Sequence, residues 1–227
     1  MTREHYQSIE NYMRTCATDS AHDTEHIYRV LYVALDIARY EKDVDMDILI
    51  TACLLHDVGR PEQYADPAVC HALVGSEKAY AFLLTLGWDA PRAQRAKDCI
   101  STHRYRSGRP PESVEAKILF DADKIDATGT LGIARTILYR TQGDEPLYTF
   151  LPDGTVSDGS ADREPSFFQE YKFKLEKLYD RFYTTRGKEI AASRRSSAVA
   201  FYDSMLKEVK TSYEPGVSLL NQLLEEA

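Results

Sequence analysis

From Thr24 to Lys42 apolar residues return at every third or fourth position, as Ile27, Val30, Leu31, Ala34, Ile37 and Ala38. That spacing predicts a helix with one buried face, capped by Asp23 or Thr24. The next segment, 48-ILITACLLHD-57, is apolar nearly all round. It predicts a central helix without a solvent face, with Asp47 as its cap. Further helices are expected over 71–86, 91–103 and 112–127, Gly87 closing the first and Pro110-Pro111 lying near the start of the last. Between Gly143 and Pro165 the pattern gives way to Gly, Pro and Asp around a PDG turn, which fits a small hairpin or a lid over a pocket. Two long helices, about 166–187 and 188–212, follow. In the first, Phe168, Tyr171, Leu175, Leu178 and Phe182 form a stripe that reads as core packing or a subunit contact. The expectation is an all-α chain folded as a single domain over 1–227, with a helical bundle at about 20–142, the loop 143–165 and a C-terminal helical extension over 166–213.

Composition narrows the function classes. The 227 residues carry a formal net charge of −8 and a pI near 5.3, which argues against binding long nucleic acid by general phosphate neutralisation. No run approaches the length of a membrane span, and the first residues lack the apolar region of a signal peptide. Cys16, Cys53, Cys70 and Cys99 show no paired spacing. A reduced, cytoplasmic protein is expected, with a homodimer as an open alternative to a monomer.

The end of the central helix raises a chemical question. The carbonyls left unpaired at a helix C-terminus are partly negative, so a carboxylate there is badly placed and a cation is favoured. Yet His56 and Asp57 stand at that point, followed by Gly59 and Pro61. Taken alone, the pair reads as a helix-end histidine with its aspartate salted to Arg60. A bound divalent ion would instead neutralise the carboxylate and use the imidazole as a ligand. Other ligand types gather at helix ends. His26 falls in a first turn, His71 opens a helix and His103 ends one, and 118-ILFDADKIDATG-129 sets Asp123 and Asp126 one turn apart on one face. By that spacing Asp121 points elsewhere and reads as a solvated charge.

The order His26, His56-Asp57, Asp123, with the flanking text LLHDVG and AKILFDADKIDATG, resembles the HD-domain superfamily of metal-dependent phosphohydrolases. It is most similar to the small stand-alone bacterial and archaeal members, which share segments like RPEQYAD, CHALVGSEKA and THRYRSGRPPES. The resemblance covers about residues 20–210. It implies an all-α HD-domain bundle with a divalent ion on His26, His56, Asp57 and Asp123. Such ligands suit Mn²⁺, Fe²⁺, Co²⁺, Ni²⁺ or Zn²⁺ better than Mg²⁺, and Mn²⁺ is the expected ion. Metal-activated water attacking phosphorus is the expected reaction, with Glu62 and Asp66 as acid–base groups and Asp126 either catalytic or receiving a ligand histidine's second N–H.

Phosphate calls for cations. Arg104, Arg106 and Arg109 cluster in 103-HRYRSGRPPES-113, with Tyr105 to stack on a base and Lys124 and Arg60 beside the metal ligands. His71 and His103 are assigned to the substrate in a one-metal site. If both bind metal, the order matches the two-metal subset, which includes phosphodiesterases and iron oxygenases. The expected substrate is a nucleotide, a triphosphate split to monophosphate and pyrophosphate. The rivals are a phosphomonoesterase or phosphodiesterase, a two-metal oxidase and a non-catalytic binding module.

Overall fold

The computed structural model describes residues 1–16, 24–104, 109–141 and 144–225. They are helical throughout apart from turns, and among them the only β pairing is an isolated antiparallel bridge, Phe150 to Val156. No helix among the described residues is long and apolar enough to cross a membrane. The chain divides into two compact units, the first comprising residues 1–126 and 182–189.

In the first unit the helices are α1 (Arg3–Cys16), α2 (Thr24–Ala38), α3 (Met46–Leu55), α4 (Arg60–Ala65), α5 (His71–Thr85), α6 (Ala90–Ser101) and α7 (Val114–Ile125). The all-round apolar α3 is the hub and packs against α1, α2, α5, α6 and α7. Ile48, Leu49, Leu54 and Leu55 are fully buried, each worth about 1.5–3 kcal/mol of transfer free energy. Its cap is Asp45 rather than Asp47: Asp45 Oδ1 accepts from the backbone N–H groups of Asp47 and Ile48, both at 3.2 Å. Asp47 instead lies in the first turn and pairs with Arg92 and the N-terminal amine. Helix α2 stops at Ala38, short of Lys42, and the chain then turns through Asp43 at φ +57°. Between α5 and α6, Gly87 takes φ +86°, a conformation side chains resist, before Asp89 caps α6 through Arg92 N–H. Asp23, Tyr105 and Arg106 lie outside the described residues.

Asp121 departs from its expectation as a solvated charge. It is fully buried and accepts from the N–H groups of Tyr183 and Thr184 and from the Thr184 hydroxyl. Burial pushes its pKa up, while these bonds favour the carboxylate. The captured segment leads into α10 (Thr185–Glu225), where Gly187 N–H bonds the Thr184 hydroxyl.

The second unit, residues 127–181 and 190–227, contains α8 (Gly129–Thr141), α9 (Phe167–Phe173), a 3₁₀ turn over Leu175–Asp180 and the remainder of α10. The expected 166–187 helix is therefore broken, at Lys174. The tighter turn keeps Leu175 and Leu178, three apart, on one buried face beside Phe168 and Tyr171. Tyr171 stacks on Tyr202 of α10 with ring centroids 4.0 Å apart. The PDG segment turns through Gly154 at φ +83°, with Leu151 N–H on Thr155 O and Ser157 N–H on Thr149 O, forming a short hairpin. Helix α10 begins at Thr185, where Asp121 holds the preceding N–H groups, and runs on past 212.

Replacing Asp121 with Ala removes the acceptor for several buried donors. It should cost about 2–3 kcal/mol, read as a lower denaturation midpoint with unchanged slope; an unaltered midpoint would contradict the anchoring role.

Candidate metal centre

Two histidines sit just beyond helix C-termini, and each donates to a carbonyl of the helix's last turn. His56 follows α3 and its Nδ1–H donates to Cys53 O at 2.8 Å. His103 follows α6 and its Nδ1–H donates to Ile100 O at 2.6 Å. A carbonyl only accepts, so Nδ1 must carry the proton and Nε2 presents a lone pair. The other two histidines lie at helix N-termini, where the free backbone groups are N–H donors of no use to Nδ1–H. These two find side-chain acceptors instead: His26 Nδ1 meets Asp126 Oδ2 at 2.7 Å, and His71 Nδ1 meets Gln63 Oε1 at 2.5 Å. All four rings are thereby turned with Nε2 inward, and all are buried.

The inward atoms converge on Asp57. Its Oδ2 lies 3.7 Å from His26 Nε2 and 3.6 Å from His56 Nε2, and its Oδ1 lies 3.3 Å from His71 Nε2 and 3.7 Å from His103 Nε2. His26 and His56 stand 3.4 Å apart at Nε2, with Asp123 Oδ1 3.5 Å from His26. His71 and His103 stand 3.2 Å apart at Nε2. Ligands about 2.1 Å from one ion are separated by about 3.0–3.4 Å, so these spacings fit shared ions. Two triads result, His26, His56 and Asp123 on one side and Asp57, His71 and His103 on the other.

Both Asp57 oxygens are buried and neither has a hydrogen-bond donor among the described residues. Burial alone raises its pKa, but the Arg60 guanidinium leads the opposing charges and the carboxyl is held well below the usual range. Asp123 is likewise penalised by burial and likewise held low, chiefly by Lys124. Burial pushes His71 and His103 down, so both imidazoles are neutral ligands. A buried anion ringed by neutral nitrogen lone pairs is a donor set that a divalent cation completes.

Backbone contact fixes the approach of the second triad. A Cβ on Gly59 would fall 2.3 Å from His71 O and 2.6 Å from Gly75 N. Only glycine lets the turn after Asp57 press against the start of α5 and bring His71 to the carboxylate.

His71 and His103, expected at the substrate, face Asp57 Oδ1 with their Nε2 atoms and form with it a group that could hold an ion. Arg60 Nε lies 3.0 Å from Asp57 Oδ1. Lys124 Nζ contacts Asp123 Oδ2 at 2.7 Å and His103 O at 3.2 Å. Arg104 flanks the second triad, with Nη1 3.5 Å from Cys70 Sγ. Glu62 pairs with Lys78 at 2.8 Å, and the exposed Asp66 accepts Ala68 N–H, so neither belongs to the two triads. Arg109 lines a separate cavity of about 560 Å³ with Arg95, Asp98 and Ser113, a lining that includes no metal-site residue.

Sequence reasoning missed Arg29 and Gln63. Arg29 grips Asp126 with Nε at 2.8 Å and Nη2 at 3.1 Å, fixing the carboxylate that orients His26. Its signal was available, since Arg29 lies three residues after His26 and so shares its helix face. Gln63 carried no comparable signal.

Asp126→Asn should weaken metal binding at the first triad by about 10–100-fold, measured by chelator competition; unchanged affinity would exclude Asp126 from orienting His26. Stability of the metal-free chain should fall as pH drops below about 6.5. There the unfolded chain protonates His71 and His103, whereas their folded pKa values are depressed from 6.5. Denaturation midpoints flat between pH 7 and 5 would contradict burial of these imidazoles as neutral groups.

Comparison with known proteins identifies the family. A family model for the HD domain matches residues 24–128. The Bacillus subtilis protein YpgQ is 27% identical over 212 residues, covering 89% of this chain and 93% of its own. A predicted HD superfamily hydrolase from an uncultured Thermotogales bacterium is 30% identical, covers 89% of this chain and 91% of its own, and superposes with a TM-score of 0.61. The structure of B. subtilis YpgQ in complex with ADP superposes with a TM-score of 0.69 at 24% identity, covering 90% and 97% of the two chains. With its ligand order, its helical fold and these relatives in agreement, the chain belongs to the HD superfamily of metal-dependent hydrolases.

Proposed function

We propose that the protein hydrolyses a phosphoanhydride bond of nucleotides at a pair of divalent ions, one on each triad, with Asp57 shared between them. The observation that carries this reading is Asp57 itself, a buried carboxylate with two unpartnered oxygens, each facing its own pair of imidazole nitrogens. Imidazole and carboxylate donors favour Mn²⁺, Fe²⁺, Co²⁺, Ni²⁺ or Zn²⁺, and we favour Mn²⁺. Bound there, the ions supply an activated water and a Lewis-acid contact to phosphoryl oxygens.

The chain's residues do the rest. Their outward hydrogen bonds hold the four imidazoles in a fixed orientation, so that the ligands are in place before substrate arrives. Arg60 and Arg104 flank the second triad, where guanidinium forks match phosphate oxygens. Lys124 offsets the charge of Asp123. A nucleotide substrate is supported by YpgQ, whose structure was determined with ADP. Release of pyrophosphate from a triphosphate is the reaction that the family resemblance favours, and the cytoplasm is the compartment that the cysteine pattern favours. The two triads together also suit an iron pair reacting with oxygen, and this is the rival reading.

The test is turnover by metal-stripped protein reloaded with Mn²⁺, Co²⁺, Ni²⁺, Mg²⁺ or Zn²⁺. Nucleoside mono-, di- and triphosphates are supplied, and phosphate and pyrophosphate are assayed separately. Pyrophosphate from triphosphates is expected, with turnover and bound metal both lost in Asp57→Ala. Phosphate from monophosphates alone would move the substrate, and silence with every ion alongside oxygen uptake by the iron-loaded protein would give the site to the rival.

A further inference from the structure

Two adjoining buried groups each lack the partner they are built for. Arg60 opens α4, and its Nε lies 3.0 Å from Asp57 Oδ1, yet the N–H is not directed at that oxygen. Arg60 Nε is buried without an acceptor, and Asp57 Oδ1 is buried without a donor, among the described residues. A buried N–H left unpaired is costly, so an anion that accepts from Arg60 is favoured at this point. A buried carboxylate oxygen without a donor equally favours a cation.

The oxygen in question is the one that faces the second triad. The two triads are not equivalent. The first owns a carboxylate, Asp123, and has an imidazole, His26, backed by the anionic Asp126. The second has only Asp57 Oδ1 for negative charge, and the Arg60 guanidinium already stands against it. His71 and His103 bond at Nδ1 to the neutral acceptors Gln63 Oε1 and Ile100 O, which add no charge. A divalent ion in the second triad therefore meets a fixed cation competing for its one anionic ligand.

We infer that Arg60 makes the second triad a weak metal site until a phosphate group arrives, and that phosphate strengthens it by drawing the guanidinium fork onto its own oxygens. Metal and phosphate are then coupled through one side chain, and by linkage the ion raises phosphate affinity by the same factor. This inference rests on the two-ion reading above.

The test is a Mn²⁺ titration of the metal-stripped full chain, counting bound ions by the loss of the free-ion paramagnetic signal, with and without inorganic phosphate. In the absence of phosphate, one ion should bind tightly and a second at least about tenfold more weakly. Phosphate should tighten the second by about tenfold, within the usual span of coupling between sites. His71→Ala should remove only the second ion and the phosphate response. Arg60→Met should bind the second ion about tenfold more tightly without phosphate and respond no further when phosphate is added. Arg60→Lys keeps the charge without the fork, so its second site should stay weak and gain less from phosphate. Second-ion affinity unchanged in Arg60→Met, or a full phosphate response in either Arg60 variant, would overturn the coupling while leaving two ions. A single ion in the wild type and in Arg60→Met, with or without phosphate, would overturn the two-ion reading itself.

Discussion

The centre depends on one buried carboxylate. Asp57 stands at the end of the most apolar helix in the chain, where helix carbonyls and low dielectric both oppose a negative charge. The carboxyl is nevertheless held well below the usual range, chiefly by Arg60. The first unit is organised around that fact. Helix α3 fixes the position of Asp57, α2 brings His26 to one of its oxygens with Asp123 of α7 beside that imidazole, and α5 and α6 bring His71 and His103 to the other oxygen. Each of these helices packs against α3, so the hydrophobic hub and the ligand convergence are the same piece of geometry.

Helix ends suit this task for a reason that reaches down to the backbone. A C-terminus leaves carbonyls that accept an Nδ1 proton at no cost in side chains, and His56 and His103 use them in the same way, each bonding the carbonyl three residues earlier. An N-terminus has no such acceptor, so His26 and His71 each require a further residue, Asp126 and Gln63. The asymmetry explains why the helix-opening ligands bring outer partners with them, and why one of those partners, Asp126, is itself gripped by Arg29.

Much of this was legible in the chain. The apolar run of α3, the period of α2 and the placing of histidines at helix boundaries are local patterns that pointed to a converging site, and the family resemblance supplied His26, His56, Asp57 and Asp123 as its expected ligands. What escaped depended on contacts between distant residues. The direction of His71 and His103 is set by which acceptor takes the Nδ1 proton, and for His71 that is Gln63 across a turn. Asp121 looked solvated because its spacing turns it off the Asp123 face. The other face meets Tyr183 and Thr184, some sixty residues downstream. The break at Lys174 was hidden because α and 3₁₀ geometry both satisfy a stripe spaced by three and four.

Charge balance joins the fold to the proposed chemistry. Each of the three carboxylates at the centre has a cation behind it: Arg60 on Asp57, Lys124 on Asp123 and Arg29 on Asp126. These three cations match the three carboxylates in charge, so the apolar hub can fold around the metal-free centre without an uncompensated carboxylate. Two divalent ions would then turn a charge-balanced interior strongly positive, in a protein whose formal net charge is −8. Such a local reversal attracts a polyphosphate where the surface as a whole does not. It also assigns the three cations different parts. Lys124 and Arg29 are tied to their carboxylates by directed hydrogen bonds, whereas the Nε–H of Arg60 is not directed at the Asp57 oxygen 3.0 Å away. A guanidinium with an undirected N–H is the one that an incoming phosphate would draw.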